Sequence, residues 1–245
     1  MELKYAIVSS NSNPEYLDFW PYVAKAWKER IGIKPVLFYI DPNPPREDLK
    51  SHGDVYYFRS VPDWDIVQQA QSIRLWASKV IDDAFIISDM DMLPISKDYY
   101  EKGVKGLERG IASYSSDIIK YRWYRTNPQY PMCYLAGDSG SFTQILGLDR
   151  FGNHEDFLRH LKSMNLRFGT DQKFFYNQSQ LNPEVPMRHL ERGWIEEKYA
   201  TRRLDKAVWP ESDYSVDEYI DCHLPRPLSG NQERCMELFE KMNLR

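Results

Sequence analysis

A chain of 245 residues with 42% hydrophobic side chains is long enough to bury a sizeable core, and its formal charge of -4, without a Lys/Arg run, excludes recognition of nucleic acid through a basic face. No apolar run approaches the roughly 20 residues of a membrane span, and the N-terminus has neither the basic nor the apolar region of a signal peptide, so a soluble, cytoplasmic protein is expected. Cys133, Cys222 and Cys235 are an odd number without metal-type spacing, which points to reduced thiols and carries no chemistry.

The first apolar run, residues 5–8, predicts a strand, followed by the polar turn Ser9-Ser10-Asn11-Ser12-Asn13-Pro14 and a helix over 15–30. Runs at 35–40, ending at Asp41 before a Pro-rich loop, and at 55–58 predict the second and third strands. Ile66, Ala70, Ile73, Ala77 and Val80 then repeat at helical spacing, ahead of a buried-strand run from Ala84 to Ser88 that ends in Asp89-Met90-Asp91. A helix at 97–108, a strand at 110–115, an aromatic loop at 121–131, a strand at 132–136 and a Gly/Ser turn at 137–141 follow. Helices are expected at 154–164 and 171–178, the latter capped by Thr170. The chain closes on a strand at 216–222 and an amphipathic helix using Cys235, Leu238, Phe239 and Met242, with Ser229 and Gln232 as its capping box. This alternation predicts an α/β domain over 1–245, with a mostly parallel central sheet covered by helices and ligands outside the carboxyl ends of its strands.

Side chains alternate along a strand, so Asp89 and Asp91 are expected on one face at its carboxyl end, with Met90 and Met92 on the other. Two converging carboxylates need something positive between them, and a hard divalent cation that also takes phosphate ligands meets that need. An exposed turn that merely ends a strand is the plain alternative. On the preceding helix Gln71, Arg74 and Ser78 form one polar stripe, which lets Arg74 reach a diphosphate or Asp89, with Lys79 a second candidate at the helix end. An ordinary solvated helix face is the alternative for these cations.

Taken together, residues 71–79 (QSIRLWASK), a short spacer and residues 87–94 (ISDMDMLP) resemble the donor-binding half of the GT-A glycosyltransferases. In that superfamily a strand-end DxD pair holds Mn²⁺ or Mg²⁺ against the diphosphate of a nucleotide-sugar, and an upstream Arg contacts the donor. The pattern is most similar to the retaining branch with glycogenin and the bacterial galactosyltransferases, and to glycosyltransferases of large DNA viruses. The resemblance implies a GT-A (Rossmann-like) fold with residues 1–110 as the nucleotide-binding half and 111–245 as the acceptor-binding half. It also implies a nucleotide-sugar donor, UDP-linked in the first instance, and a glycan or other hydroxyl acceptor.

Residue by residue, the resemblance puts Asp89 on ribose or metal, Asp91 on the metal, and Arg74, Ser78 and Lys79 on the donor side. Asp138-Ser139-Gly140 is similar to an Asn-Ser/Ala-Gly turn that touches the donor sugar, with Asp replacing Asn. Thr170-Asp171-Gln172 resembles an Asp-Gln pair near the reacting carbon, although Asn177 follows one residue late. His223, before Leu224-Pro225-Arg226-Pro227, is similar to the family's late metal-ligating His and its basic-Pro pair, which adds Arg226 to the donor contacts. Should the reaction invert, Asp138 or Asp171 must be the base; retention needs none. Plain readings stand beside these: Asp171 suits a helix first turn, Asp138 a Gly turn, and His223 a structural role. Tyr121, Trp123, Tyr124 and Tyr130 fit either an acceptor sugar or a loop anchored by its own aromatics.

Rival chemistries meet obstacles in the same residues. A haloacid-dehalogenase-type phosphatase also opens with Asp-x-Asp, but Leu93 stands where that pattern wants Thr or Val. A nucleotidyltransferase needs a Gly-rich, Arg-containing loop that the first strand lacks. A non-catalytic sugar-binding module has no need of Asp89, Asp91 and His223 together.

Overall fold

The computed structural model describes residues 1–114, 116, 127–166, 169–191, 203–207, 209–210 and 214–245; Tyr121, Trp123 and Tyr124 of the aromatic loop lie outside them. The strands are β1 (Tyr5–Ser10), β2 (Lys34–Asp41), β3 (Asp54–Arg59), β4 (Ala84–Ser88), β5 (Met92–Pro94), β6 (Ile111–Tyr114), β7 (Tyr134–Asp138), β8 (Met187–Leu190), β9 (Arg203–Asp205) and β10 (Asp221–His223). Seven of them form one sheet in the order β3-β2-β1-β4-β7-β6-β8, and β5-β10-β9 form a second, small sheet. Neighbours in the large sheet are parallel except at β7, which runs antiparallel to both β4 and β6.

Both faces of the large sheet are covered, and the period of two along each strand shows how. Ala6 and Val8, Leu37 and Tyr39, and Ile86 pack into one hydrophobic cluster. Ile7, Val36, Phe38, Ile40, Phe85 and Ile87 point into the other. The first cluster is closed by Trp20, Val23, Trp27, Tyr99, Tyr100, Leu238 and Phe239. The second is closed by Ala70, Ile73, Phe142, Ile145, Phe157, Leu161 and Phe174. Trp27, Tyr100 and Tyr134 meet at ring-centroid separations of 5.0–6.3 Å beneath the sheet. Such tilted and edge-on aromatic pairs fill large volumes well.

Several elements depart from expectation for local reasons. The helix expected over 15–30 is broken into Pro14–Leu17 and Trp20–Lys25, and continues as a π-helical turn over Ala26–Ile31. Pro21 has no amide hydrogen and therefore starts a helix rather than continuing one. In the C-terminal region Val216–Glu218 forms a 3₁₀ turn, and only Asp221–His223 is extended. The Ser229/Gln232 capping box does not form: Asn231 occupies the cap position of the Gln232–Lys241 helix without a side-chain cap bond and donates instead to the Pro227 carbonyl (2.9 Å). Thr170 is the first helical residue rather than the cap, preceded by Gly169 at φ +76°. Cys133, Cys222 and Cys235 are free and buried, and burial pushes all three thiols up. No helix among the described residues is long and apolar enough to cross a membrane.

Candidate active site

A cleft with about 220 Å³ of free space opens at the carboxyl rim of β1 and β4. Its walls include Ser10, Asn11 and Asn13 after β1, Gln71 and Arg74 from the helical segment before β4, and Asp89, Met90 and Asp91 after it. The Thr170–Leu181 helix adds Gln172, and the small-sheet region adds Lys206, His223 and Arg226. Asp89 and Asp91 do converge, but not by strand alternation. The chain leaves β4 at Ser88 and turns, with the Met92 amide donating to the Asp89 carbonyl (3.2 Å), so Met90 lines the cleft as well.

Arg74 is far from a solvated helix face, being 4% exposed. The Ile66–Ile73 helix tightens into a 3₁₀ segment at Arg74–Lys79, which directs the guanidinium beneath the β4 end. There it donates to the Ser88 carbonyl (3.1 Å), contacts the Asp89 carboxylate, and donates to Asp171 Oδ2 (2.8 Å). One arginine thus ties two carboxylates from distant parts of the chain. Burial pushes the Asp171 carboxyl up, while Arg74 opposes that shift without cancelling it. Burial lowers and both carboxylates raise the Arg74 affinity for its proton; the net is a rise, so the guanidinium stays charged. Asp171 Oδ1, Arg74 Nε and Gln71 Oε1 are buried without a hydrogen-bond partner among the described residues. Unpaired polar atoms in a closed site are costly; Arg74 and Gln71 line the cleft, so their atoms are natural points for a ligand, whereas Asp171 is fully buried and does not line it.

The second cluster forms around Asp91. Its Oδ2 forms an ion pair with Arg226, 3.0 Å from Nε but without hydrogen-bond alignment, and lies 3.3 Å from His223 Nε2. The Arg226 guanidinium also stacks over Tyr16, 4.4 Å from the ring centroid. His223 reaches Asp91 because β10 pairs antiparallel with β5, placing His223 opposite Met92. The strand expected over 216–222 would end at His223 on the carboxyl rim of the main sheet; the small sheet delivers it instead. On the other side, β9 sets Asp205 opposite His223, with Asp205 Oδ2 3.4 Å from Nδ1 and Lys206 Nζ 2.8 Å from Nε2. Burial lowers the His223 pKa, and the hydrogen bond and charge of Asp91 more than reverse this, leaving it raised.

These donors suit a divalent cation in part. Two adjacent ligands of an octahedral ion at about 2.1 Å lie roughly 3 Å apart, close to the observed Asp91–His223 spacing. Asp205 on the far nitrogen is the usual partner of a metal-ligating imidazole. Asp89, however, is turned to Arg74, and no group of three His, Cys, Asp or Glu side chains among the described residues is gathered as a preformed metal centre. Charge compensation also differs from expectation, since Asp89 already has Arg74 and Asp91 already has Arg226.

Three further expected site residues are not brought to the cleft. Ser78 faces the neighbouring helix and receives the Thr143 hydroxyl (2.9 Å), and Lys79 pairs with Asp149 (3.0 Å). Asp138 stands at the opposite rim, because β7 runs antiparallel to β4 and pairs it with Ala84 at the start of that strand. There it caps the Ser139–Leu146 helix through Ser141 N (2.8 Å) and accepts from Gly110 N (2.7 Å) and Ser141 Oγ (2.7 Å). Tyr130 is buried and stacks on His189 at 5.6 Å. Sequence reasoning missed Asp205 and Lys206, which follow no motif and gain meaning only through the register of β9 with β10.

No family model matches the sequence, and no curated protein matches it. Solved structures do. An active-site mutant of LgtC superposes with a TM-score of 0.53 at 9% identity, covering 91% of this chain and 88% of that one. The galactosyltransferase LgtC in complex with donor and acceptor sugar analogues superposes with a TM-score of 0.52 at 11% identity, over 91% and 87%. At such identity the likeness is one of fold: the chain has the α/β architecture of the GT-A glycosyltransferases.

Proposed function

We propose that the protein is a glycosyltransferase that moves a sugar from a nucleotide-sugar, in the first instance a UDP-sugar, to a hydroxyl of a glycan or other acceptor. The observation that carries this reading is the convergence of Arg74, Asp89, Asp91, Gln172, His223 and Arg226 on one cleft at the carboxyl rim of a GT-A sheet. Ligands of open α/β sheets bind at that rim. Asp91 and His223, with Asp89 alongside, are the residues to hold Mn²⁺ or Mg²⁺, which when bound supplies Lewis-acid stabilisation of the departing diphosphate. Arg226 adds fixed positive charge at the same place, and Arg74 holds Asp89 in one orientation. Gln172, an uncharged donor and acceptor on the cleft wall, suits the hydroxyls of the transferred sugar.

The positions of the two candidate bases support retention of anomeric configuration. Asp138 lies on the other rim with both oxygens engaged, and Asp171 is buried against Arg74. Neither is open to an acceptor hydroxyl. Nuclear magnetic resonance of the anomeric proton in the first product should show the donor's configuration; inversion would require a base elsewhere.

A thermal-shift panel tests the nucleotide reading, because a ligand bound by the native state raises Tm. Since Arg226, Lys206 and Arg74 offset the carboxylates, UDP should stabilise weakly in chelator and more strongly with Mn²⁺. No response to any nucleotide or nucleotide-sugar would refute the proposal, and a preference for GDP would revise only the base. Asp91→Asn should reduce metal-dependent transfer by about 10²-fold or more, the usual loss when a group stabilising transition-state charge is removed. Release of inorganic phosphate from simple esters, in place of sugar transfer, would favour phosphatase chemistry.

A further inference from the structure

Lys206 belongs to no motif, yet it makes the shortest contact to His223: its Nζ is 2.8 Å from Nε2 and 3.9 Å from Asp91 Oδ2. An ammonium group only donates, so the 2.8 Å contact belongs to the tautomer with its lone pair on Nε2 and its proton on Nδ1, toward Asp205; in the other tautomer Nε2 donates to Asp91 (3.3 Å) and the lysine contact is lost. Nε2 and Asp91 Oδ2 are also the two atoms expected to bind a divalent ion. We propose that the Lys206 ammonium is the resident cation of the Asp91–His223 site, and that a divalent ion enters only by displacing it. The inference rests on the metal-binding reading above and goes beyond it by assigning the site a built-in competitor.

One imidazole lone pair has room for one electrophile. A metal ion about 2 Å from Nε2 and a lysine nitrogen at 2.8 Å along the same direction would overlap, so the two states exclude each other. The local construction allows exchange without disturbing the ligands. His223 is held from its other nitrogen by Asp205, whose Oδ1 accepts from the Ala207 amide (2.9 Å), and its backbone is tied to β5 and β9. Lys206 itself sits in the turn just after β9, with a side chain 30% exposed. Once displaced, the ammonium stays beside the cleft, where a diphosphate offers it a new anionic partner. Donor binding and metal binding are then coupled, because the nucleotide stabilises the state in which Lys206 has left Nε2.

Titration of the full-length protein with Mn²⁺, followed by electron paramagnetic resonance of the free ion, tests this without reference to turnover. Lys206→Met keeps most of the stem and removes the charge; Lys206→Gln does the same with a polar end. Without nucleotide, both should bind Mn²⁺ about tenfold or more tightly than the wild type, as follows if lysine fills the site nine-tenths of the time. Adding UDP should improve Mn²⁺ affinity more in the wild type than in either variant. Equal or weaker Mn²⁺ binding in both variants, with the wild type still binding Mn²⁺ through Asp91, would overturn the exchange and leave the metal reading standing. If neither wild type nor variants bind Mn²⁺, even with UDP, both the metal reading and the exchange fall.

Discussion

At the amino rim of the central sheet, Asp138 gives its carboxylate to the Gly110 and Ser141 amides and the Ser141 hydroxyl, and the group is complete. At the carboxyl rim, Asp89, Asp91 and Asp171 are held by Arg74 and Arg226, buried polar atoms lack hydrogen-bond partners among the described residues, and the walls form a cleft. Both rims place aspartate in a turn beside a strand end, and the family resemblance assigns both to the donor site. The difference is the source of the compensating charge. Backbone amides at a helix start saturate a carboxylate locally and stabilise the fold, whereas side-chain cations shared between carboxylates at a cleft leave a site whose electrostatics a ligand can rearrange.

The largest expected effect that sharpens this contrast is at Arg74. On a solvated stripe its truncation would cost little, but in the observed triad Arg74→Ala leaves Asp171 as a buried, unpaired carboxylate. Unfolding in urea should therefore show a loss of about 3–5 kcal/mol, the range for breaking a buried ion pair. Adding Asp171→Asn should recover part of that loss while donor affinity stays impaired. A single Arg74→Ala variant with wild-type stability would break the buried-triad account.

A middle-sized effect belongs to the other rim. Asp138→Ala removes a helix cap and should cost about 1–2 kcal/mol without changing UDP or Mn²⁺ affinity. Burial pushes the Asp138 carboxyl up, but its hydrogen bonds outweigh this and hold it below the ordinary carboxylate range. Its folded pKa is depressed, so its stabilisation is present above the unfolded carboxylate value near 4 and is lost as pH falls through the folded value. The stability gap between wild type and Asp138→Ala should therefore narrow in acid. Loss of donor binding in this variant would show that the two rims are not as separate as their geometry.

The smallest effect is expected at Lys79, whose partner Asp149 is exposed. Lys79→Ala should change stability by less than about 1 kcal/mol and leave nucleotide binding intact, as for other surface ion pairs. A donor-binding defect would restore Lys79 to the site.

By itself the sequence determined the strands of the N-terminal half, the helical segment before β4, and the place of Asp89 and Asp91 at the carboxyl end of β4, because these follow from periodicity and from chemistry within a few residues. It also marked Arg74, Asp89, Asp91, Gln172, His223 and Arg226, all of which the fold gathers into one cleft. Tertiary structure alone decided three things. The reversed direction of β7 carries Asp138 to the far rim, since strand direction depends on the path of the chain between strands. The depth of Arg74 is set by Asp89 and by Asp171, which is 97 residues away along the chain. Finally, the small sheet brings Asp205 and Lys206 to His223 through the register of β9 against β10, a pairing fixed by packing between segments rather than by either segment's own pattern.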